Sequence, residues 1–125
     1  MESGKESMEG YKSLKVWQCG IELALLCYKV TSKFPQKEIY GLVSQIIRSA
    51  ASIPANIAEG YGRNTNKELI QFLYISLGSC NELDTHLIIA RKLNYLSIEE
   101  FEQVNDLRTK TARMLAALIK SRKNL

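Results

Sequence analysis

Apolar residues recur every three or four positions in four separate stretches of this sequence, which is the spacing of one buried face of an α-helix. Between these stretches, no run alternates apolar and polar residues as a half-buried strand does. The connections are short, so consecutive helices are expected to lie antiparallel. The sequence therefore predicts an all-α fold, an up-down-up-down antiparallel four-helix bundle over residues 14–122, preceded by a flexible N-terminal tail at 1–13.

Proline and glycine mark the ends of the first two predicted helices. Helix 1 covers about residues 14–34 and is stopped by Pro35, which cannot continue it. Helix 2 covers about residues 38–58 and ends at the cluster Gly60-Tyr61-Gly62. We interpret these glycines as a helix stop with flexible φ rather than as a phosphate-binding loop.

Two capping boxes mark the starts of the last two helices. Thr65 and Glu68 begin helix 3, which fades near Asn94, and Ser97 and Glu100 begin helix 4. In such a box the hydroxyl accepts from the backbone of the third helical residue, whose side chain reaches back.

Pro54 interrupts the apolar stripe of helix 2 and removes one backbone hydrogen bond, at a cost of about 3 kcal/mol or more in a straight helix. We predict that helix 2 is kinked between Ala50 and Asn56. The alternative is that the helix breaks and Pro54 begins a second one. In either case Ser52 or Asn56 can satisfy the freed backbone groups.

Helix 1 carries two apolar faces that lie nearly opposite each other. The first face holds Leu14, Trp17, Ile21, Ala24, Leu25 and Tyr28. A helix on the outside of a monomeric bundle needs one apolar stripe, and a large exposed apolar face marks an interface. We therefore predict a homo-oligomer. Its interface is assigned to the second face and to two isoleucines beside the helix 3 stripe: Val16, Leu23, Cys27, Val30, Phe34, Ile75 and Ile89. The alternative is that helix 1 lies deep between its neighbours.

Length and composition limit the class of protein. The 125 residues fit one domain, and 46% hydrophobic with 24% charged residues is a globular composition. No segment approaches the ~20 apolar residues of a membrane span, and the first residues lack the apolar core of a signal peptide. The three cysteines Cys19, Cys27 and Cys80 contain no CxxC pair, and the first two lie about 12 Å apart along helix 1. We expect a cytoplasmic protein with reduced thiols.

Positive charge is concentrated at the C-terminus. The chain carries a net charge of +4, whereas residues 108–125 contain six cations and no acid. Candidate nucleic-acid contacts are the cations of helix 4 and of the start of helix 3: Arg63, Lys67, Lys110, Arg113, Lys120, Arg122 and Lys123. The alternative is that late cations complement the dipole of helix 4. No aromatic residues are interleaved with them on this helix, as stacking residues are in single-strand binders.

The sequence offers no catalytic constellation. His86 is the single histidine, so neither a histidine-based zinc site nor a Glu-x-x-His di-iron site has its ligands. Neither a nucleophile elbow nor a phosphate-binding loop is present. We therefore predict that the chain is not an enzyme and that it holds no cofactor and no metal.

The segment SIPANIAEG at residues 52–60 resembles the signature of the 23S rRNA intervening-sequence protein family, a group of bacterial four-helix bundle proteins. Further matching segments are LKVW at 14–17, FP at 34–35, YGL at 40–42, FLY at 72–74 and NELDT at 81–85. The resemblance extends from residue 14 to about residue 120.

The resemblance implies an up-down bundle and a homo-oligomeric ring, since relatives that assist diversity-generating retroelements form pentamers that contact nucleic acid and a reverse transcriptase. It supplies no catalytic residue. Structural roles are implied for the signature residues Ser52, Pro54, Ala55, Asn56, Glu59 and Gly60. Among these roles are a kink at Pro54, close helix approach at Ala50, Ala51 and Ala55, and a buried hydrogen bond from Asn56. We expect an RNA- or DNA-associated accessory protein; the alternative is a protein-interaction scaffold without a nucleic-acid role.

Overall fold

The computed structural model describes residues 10–125, and in this part of the chain it contains four α-helices and no β-strand. The helices are α1 (Lys15–Thr31), α2 (Ser44–Tyr61), α3 (Asn66–Lys92) and α4 (Ile98–Lys123). Shorter helical turns precede α1 and α2: two 3-10 turns, Gly10–Ser13 and Gln36–Glu38, and a π-helical turn, Ile39–Val43. The prediction of an all-α four-helix fold is confirmed.

Each helix packs on its neighbours in sequence, and α1 closes the ring by packing on α4. At one end of the bundle Tyr95, just after α3, donates its hydroxyl to Glu38 Oε2 just before α2, over 2.9 Å. At the opposite end Cys19 of α1 lies with its Sγ 3.8 Å from the Sδ of Met114 in α4. The helices therefore run up, down, up and down. This order brings the start of α1, the α2–α3 connection and the end of α4 to the same end.

The core between the helices is built from fully buried aliphatic side chains of all four: Leu23, Ile46, Ile53, Ile57, Leu73, Leu83, Leu87, Val104 and Leu115. Each such leucine or isoleucine contributes about 1.5–3 kcal/mol relative to an exposed one. Burial of these side chains is what makes the helices pack as a bundle.

The assignment of the two faces of α1 was wrong. The residues predicted to form an oligomer interface are buried in this core: Val16, Leu23, Cys27, Val30 and Phe34. The opposite face of α1 is the exposed one, with Leu25 64% and Tyr28 59% exposed. Both faces are apolar, so their periodicity alone did not distinguish the inner one. The two α3 residues, Ile75 and Ile89, do lie at the surface.

The glycines of α1 and α2 serve close packing. A Cβ at Gly60 would lie 2.9 Å from Leu69 Cδ1 and 3.0 Å from Phe72 Cβ, and one at Gly20 would lie 3.2 Å from the Pro54 ring. Gly60 is inside α2, and no glycine of residues 10–125 has a positive φ. The interpretation of Gly60 as a flexible helix stop was therefore wrong: its missing side chain lets α2 and α3 approach.

Helix α2 continues through Pro54, which is buried, so the alternative of a break and a second helix is wrong. The bend at Pro54 stays a prediction. Non-helical backbone angles occur earlier, at Gly41 (φ −110°, ψ −109°) within the π-helical turn. For this reason the regular α-helix begins at Ser44, six residues later than predicted.

Both predicted N-cap hydrogen bonds are present, but only the predicted capping box of α4 is complete. Ser97 Oγ accepts from the Glu100 backbone amide over 3.1 Å, and Glu100 Oε1 accepts from the Ser97 amide over 2.8 Å, which completes the box of α4. At α3, Thr65 Oγ1 accepts from the Glu68 amide over 3.1 Å, but its partner carboxylate contacts the Thr65 hydroxyl instead of the backbone.

The start of the bundle lies earlier than predicted. Residues 10–13 of the predicted tail form a 3-10 turn, and the ring of Tyr11 packs edge-on against Trp17 with centroids 5.6 Å apart. Residues 1–9 of the tail lie outside the described residues.

Candidate functional site

Cations from three parts of the chain come together at one end of the bundle, which we call the basic end. They come from the start of α1, the α2–α3 connection with the first turn of α3, and the last turn of α4: Lys12, Lys15, Arg63, Lys67, Lys120, Arg122 and Lys123. The acids in the same segments are Glu59 and Glu68. Five of these cations were predicted as nucleic-acid contacts. Lys12 and Lys15 were missed because only the antiparallel packing brings the start of α1 to this end.

Arg63 lies in the connection between α2 and α3. Its Nη2 is 2.9 Å from Glu59 Oε2, and its guanidinium carbon lies 4.6 Å from the centroid of the Phe72 ring. A guanidinium over an aromatic face is attracted by about 0.5–1 kcal/mol at an exposed site. Arg63 is thus positioned by two contacts while its side chain stays 40% exposed.

Asn66 links the start of α3 to the end of α4. Its Nδ2 donates to the Arg122 carbonyl over 2.8 Å, and its Oδ1 accepts from Arg122 Nε over 2.9 Å. The Arg122 charge also reaches Tyr61: burial raises the pKa of the Tyr61 phenol, and the nearby guanidinium partly offsets this rise. The two helix ends are therefore held together at the basic end.

Lys67, Lys120 and Lys123 are exposed and make no ion pair with any described residue. Lys123 Nζ lies 5.1 Å from the centroid of the Tyr74 ring. Aromatic rings therefore do accompany two cations of the basic end, Phe72 at Arg63 and Tyr74 at Lys123. They come from α3 rather than from α4 itself, which is why the sequence of α4 alone did not indicate them.

Lys110 and Arg113 extend the positive surface along α4. Both are exposed, and Arg113 lies two turns before Lys120 on the same face, about 10 Å along the axis. Arg108 differs, because its guanidinium is committed to Asp84 at 3.5 Å and to Asn105 Oδ1 at 2.9–3.0 Å. The positive surface thus runs along α4 from the basic end towards the middle of the bundle.

An apolar surface covers the outer sides of α1 and α2, which we call the apolar face. Its side chains surround a groove of about 300 Å³: Tyr11, Trp17, Ile21, Ala24, Ala51, Pro54, Ala55 and Ala58. Leu25 and Tyr28 extend the surface along α1. Ala50 is buried in the core, whereas Ala51 and Ala55 are exposed and line this groove, so their role in close helix approach stays a prediction.

The polar signature residues form a short network across α2 and α3. Asn56 Nδ2 donates to the Ser52 carbonyl over 2.8 Å, and Ser52 Oγ lies 2.6 Å from Ser79 Oγ. Ser76 adds a buried hydrogen bond to the Ile53 carbonyl over 2.8 Å. This network fixes α2 against α3 and with it the position of the α2–α3 connection.

The three cysteines are buried and unbonded. Burial raises the pKa of the Cys27 thiol to about 12 and that of Cys80 to about 11, the latter partly offset by Arg108. Since the thiolate is the reactive form, both thiols pack as apolar groups.

Residues 10–125 contain neither a metal-binding cluster nor a membrane-spanning helix. In this range, no three His, Cys, Asp or Glu side chains gather in a way that could bind a metal ion. No helix within it combines the length and apolar character needed to cross a membrane.

Known proteins resemble the chain in sequence and in fold. Residues 12–117 match the 23S rRNA-intervening sequence protein family. A crystal structure of a protein with unknown function from the S23 ribosomal protein family of Bacteroides thetaiotaomicron is similar, with a TM-score of 0.76 and 28% identity over 84% of this chain and 98% of that chain. No curated protein matches the sequence. Since the family match covers most of the chain, the chain belongs to the 23S rRNA-intervening sequence protein family.

Proposed function

We propose that the chain is a non-catalytic, homo-oligomeric bundle that binds nucleic acid at its basic end. The observation that carries the proposal is the Asn66–Arg122 link, which joins the cations of α4 to those at the start of α3. The segments that form this end contain seven cations and only two acids. Phosphates are the partners that such an arrangement attracts most strongly.

The distribution of charge favours nucleic acid over the alternative that late cations serve the dipole of α4 alone. Dipole complementation requires cations only in the last turn of α4. It gives no reason for Lys12, Lys15 and Lys67 to gather beside them, because these lie at helix starts, where a cation is unfavourable.

The apolar face supports homo-oligomerisation. It presents aromatic and aliphatic side chains of α1 next to the small residues Ala51 and Ala55 of α2, where a second helix can approach closely. An exposed apolar surface of this kind is typical of a protein–protein interface. The pentamer implied by the family resemblance is the oligomer we propose, and its subunit number can be measured by sedimentation.

The test is binding of the purified oligomer to a structured ribosomal RNA fragment, an unrelated RNA and a duplex DNA, each over a salt series. We expect log K to fall linearly with log salt, by about 0.7–0.9 for each phosphate contacted. A double charge reversal at the basic end, Lys120→Glu with Lys123→Glu, should weaken binding. It should also reduce the steepness of the salt dependence by the amount expected for about two phosphate contacts.

The matched control reverses two exposed lysines at the opposite end, Lys29→Glu with Lys92→Glu. Its net charge equals that of the first variant, so nonspecific attraction changes equally in both. If the two variants lose affinity equally, the basic end is not the binding site. Negligible binding near 150 mM salt with an intact oligomer would instead favour a protein-interaction scaffold that uses the apolar face.

A further inference from the structure

A groove of about 240 Å³ lies between α3 and α4 near the basic end. Its lining is apolar at the floor and basic at the rim: Tyr74, Leu77, Ala116, Ile119, Lys120 and Lys123. Ligand sites for whole small molecules usually measure about 300–1,000 Å³. The groove therefore has room for one flat ring rather than for a complete cofactor.

Tyr74 forms the aromatic wall of this groove. Its side chain is 46% exposed. Lys123 Nζ lies 5.1 Å from the centroid of its ring. Because Lys123 has no ion pair in the described chain, it can move from the ring to a phosphate without losing a stronger contact.

The outer ridge of α3 is open on both sides of Tyr74. Lys67, Gln71, Tyr74 and Gly78 follow one another at four-, three- and four-residue spacing, so they share one exposed face. Gly78 lowers the stability of a helix interior relative to alanine. Yet a Cβ at Gly78 would meet nothing within 4 Å, so no packing contact within residues 10–125 requires a glycine there.

We propose that this groove binds an unpaired nucleobase, which stacks on Tyr74 while Lys120 and Lys123 hold the adjoining phosphates. The assignment rests on the proposed function and specifies its ligand as single-stranded nucleic acid. Stacking on an exposed aromatic ring is the usual way in which proteins hold unpaired bases, and flanking cations follow the backbone. The bases of a duplex are stacked on one another, so they cannot offer a free face to Tyr74.

The position of the groove agrees with this ligand. Lys67 lies two helical turns from Tyr74, about 10 Å along the axis, so a strand leaving the groove along α3 passes over a further cation. Along the ridge from Lys67 to Gly78, the residues on this face are neutral or basic. A polyanion can therefore follow the ridge without meeting a carboxylate on it.

The experiment measures fluorescence anisotropy of the full chain with a labelled 12-nucleotide RNA that cannot pair with itself, and with the same strand annealed to its complement. Tyr74→Ala should weaken single-strand binding about tenfold and leave duplex binding within twofold. Tyr74→Phe keeps the ring and should bind like the natural chain. The control is Tyr40→Ala, which removes an exposed tyrosine at the opposite end. RNA containing 5-bromouridine should also crosslink to Tyr74.

Three results would contradict the base site, the ligand class or the proposed function, respectively. If Tyr74→Ala binds the single strand as well as Tyr40→Ala does, the groove is not a base site, even though phosphate binding at the basic end can still hold. If the duplex binds more tightly than the single strand, the proposed ligand class is wrong. If neither RNA binds and the Lys120→Glu, Lys123→Glu variant changes nothing, both this assignment and the proposed function fail.

Discussion

Asn66 and Arg122 form two hydrogen bonds that connect the beginning of α3 with the end of α4: the side-chain amide of Asn66 donates through Nδ2 and accepts through Oδ1. The last four carbonyl groups of a helix have no partner within it. In α4, the carbonyl of Arg122 accepts from Asn66 Nδ2 and also from the Leu125 backbone amide over 3.3 Å. Asn66 Oδ1 accepts from the Arg122 guanidinium at the same time, so one side chain supports the helix end and positions a cation of the basic end.

We predict that Asn66→Ala destabilises the protein and weakens nucleic-acid binding together. Loss of two half-buried hydrogen bonds should cost about 1–2 kcal/mol, which lowers Tm by about 4–8 °C for a domain of this size. Affinity should fall because Arg122 and the end of α4 are freed. Thermal melting and the RNA titration check the two effects. If stability falls while affinity is unchanged, the link is structural only and does not position the binding surface.

The helices could be predicted from the sequence, but the way each helix is oriented in the bundle could not. Helix number, caps and the inner stripes of α2 to α4 depend on local periodicity and on pairs such as Ser97 and Glu100, which are visible in the sequence. The inner face of α1 depends on which of two apolar faces meets the other helices. Likewise, Lys15 and Lys120 share one end only because the chain turns three times between them.

The role of Gly60 shows a second limit. A glycine near a helix end suggests a flexible φ, but its function here depends on the distance of α2 from Leu69 and Phe72 of the next helix. Such distances follow from tertiary packing and leave no local sequence signal. The aromatic partner of Lys123 was missed for the same reason, since Tyr74 is on another helix.

Leu23 lies on the inner face of α1 and Leu25 on its outer face, so the same substitution should have different effects at these two positions. Leu23 is fully buried and Leu25 is 64% exposed. We predict that Leu23→Glu prevents folding, because a buried unpaired carboxylate costs several kcal/mol beside the lost core contacts. Leu25→Glu should keep the helical circular dichroism spectrum and reduce oligomer size in sedimentation. A Leu25→Glu variant that keeps the oligomer intact would exclude the apolar face from the interface.

The thiol of Cys27 should contribute to the pH dependence of stability at high pH. Its pKa is raised from 9.0 to about 12 by burial, so the folded state keeps the proton that the unfolded state loses first. Its contribution is therefore fully present below pH 9 and is lost as pH rises towards 12, with a slope of about 1.4 kcal/mol per pH unit from this one group.

We expect Cys27→Ala to lose less stability than the natural chain between pH 9 and pH 11, even though it is less stable at pH 7. Urea unfolding at a series of pH values measures both quantities in each protein. Other groups, Tyr61 and Tyr95 among them, also have raised pKa values but are present in both chains. Parallel pH profiles for the two proteins would mean that the Cys27 thiol titrates alike in the folded and unfolded states.

Two glycines inside helices should respond to alanine in opposite directions. At Gly78 the new methyl group would enter open space, so Gly78→Ala should stabilise α3 by about 1 kcal/mol through backbone entropy and raise Tm by about 4 °C. At Gly60 the same methyl group would lie 3.0 Å from Phe72 Cβ and 3.3 Å from the Leu69 carbonyl oxygen. Overpacking of this kind costs about 1–3 kcal/mol, so Gly60→Ala should lower Tm despite the gain in helix propensity. Thermal melts at one protein concentration compare the two variants directly. A fall in Tm for Gly78→Ala would show that this position is already in contact with another subunit, and would move the oligomer interface from the apolar face to α3.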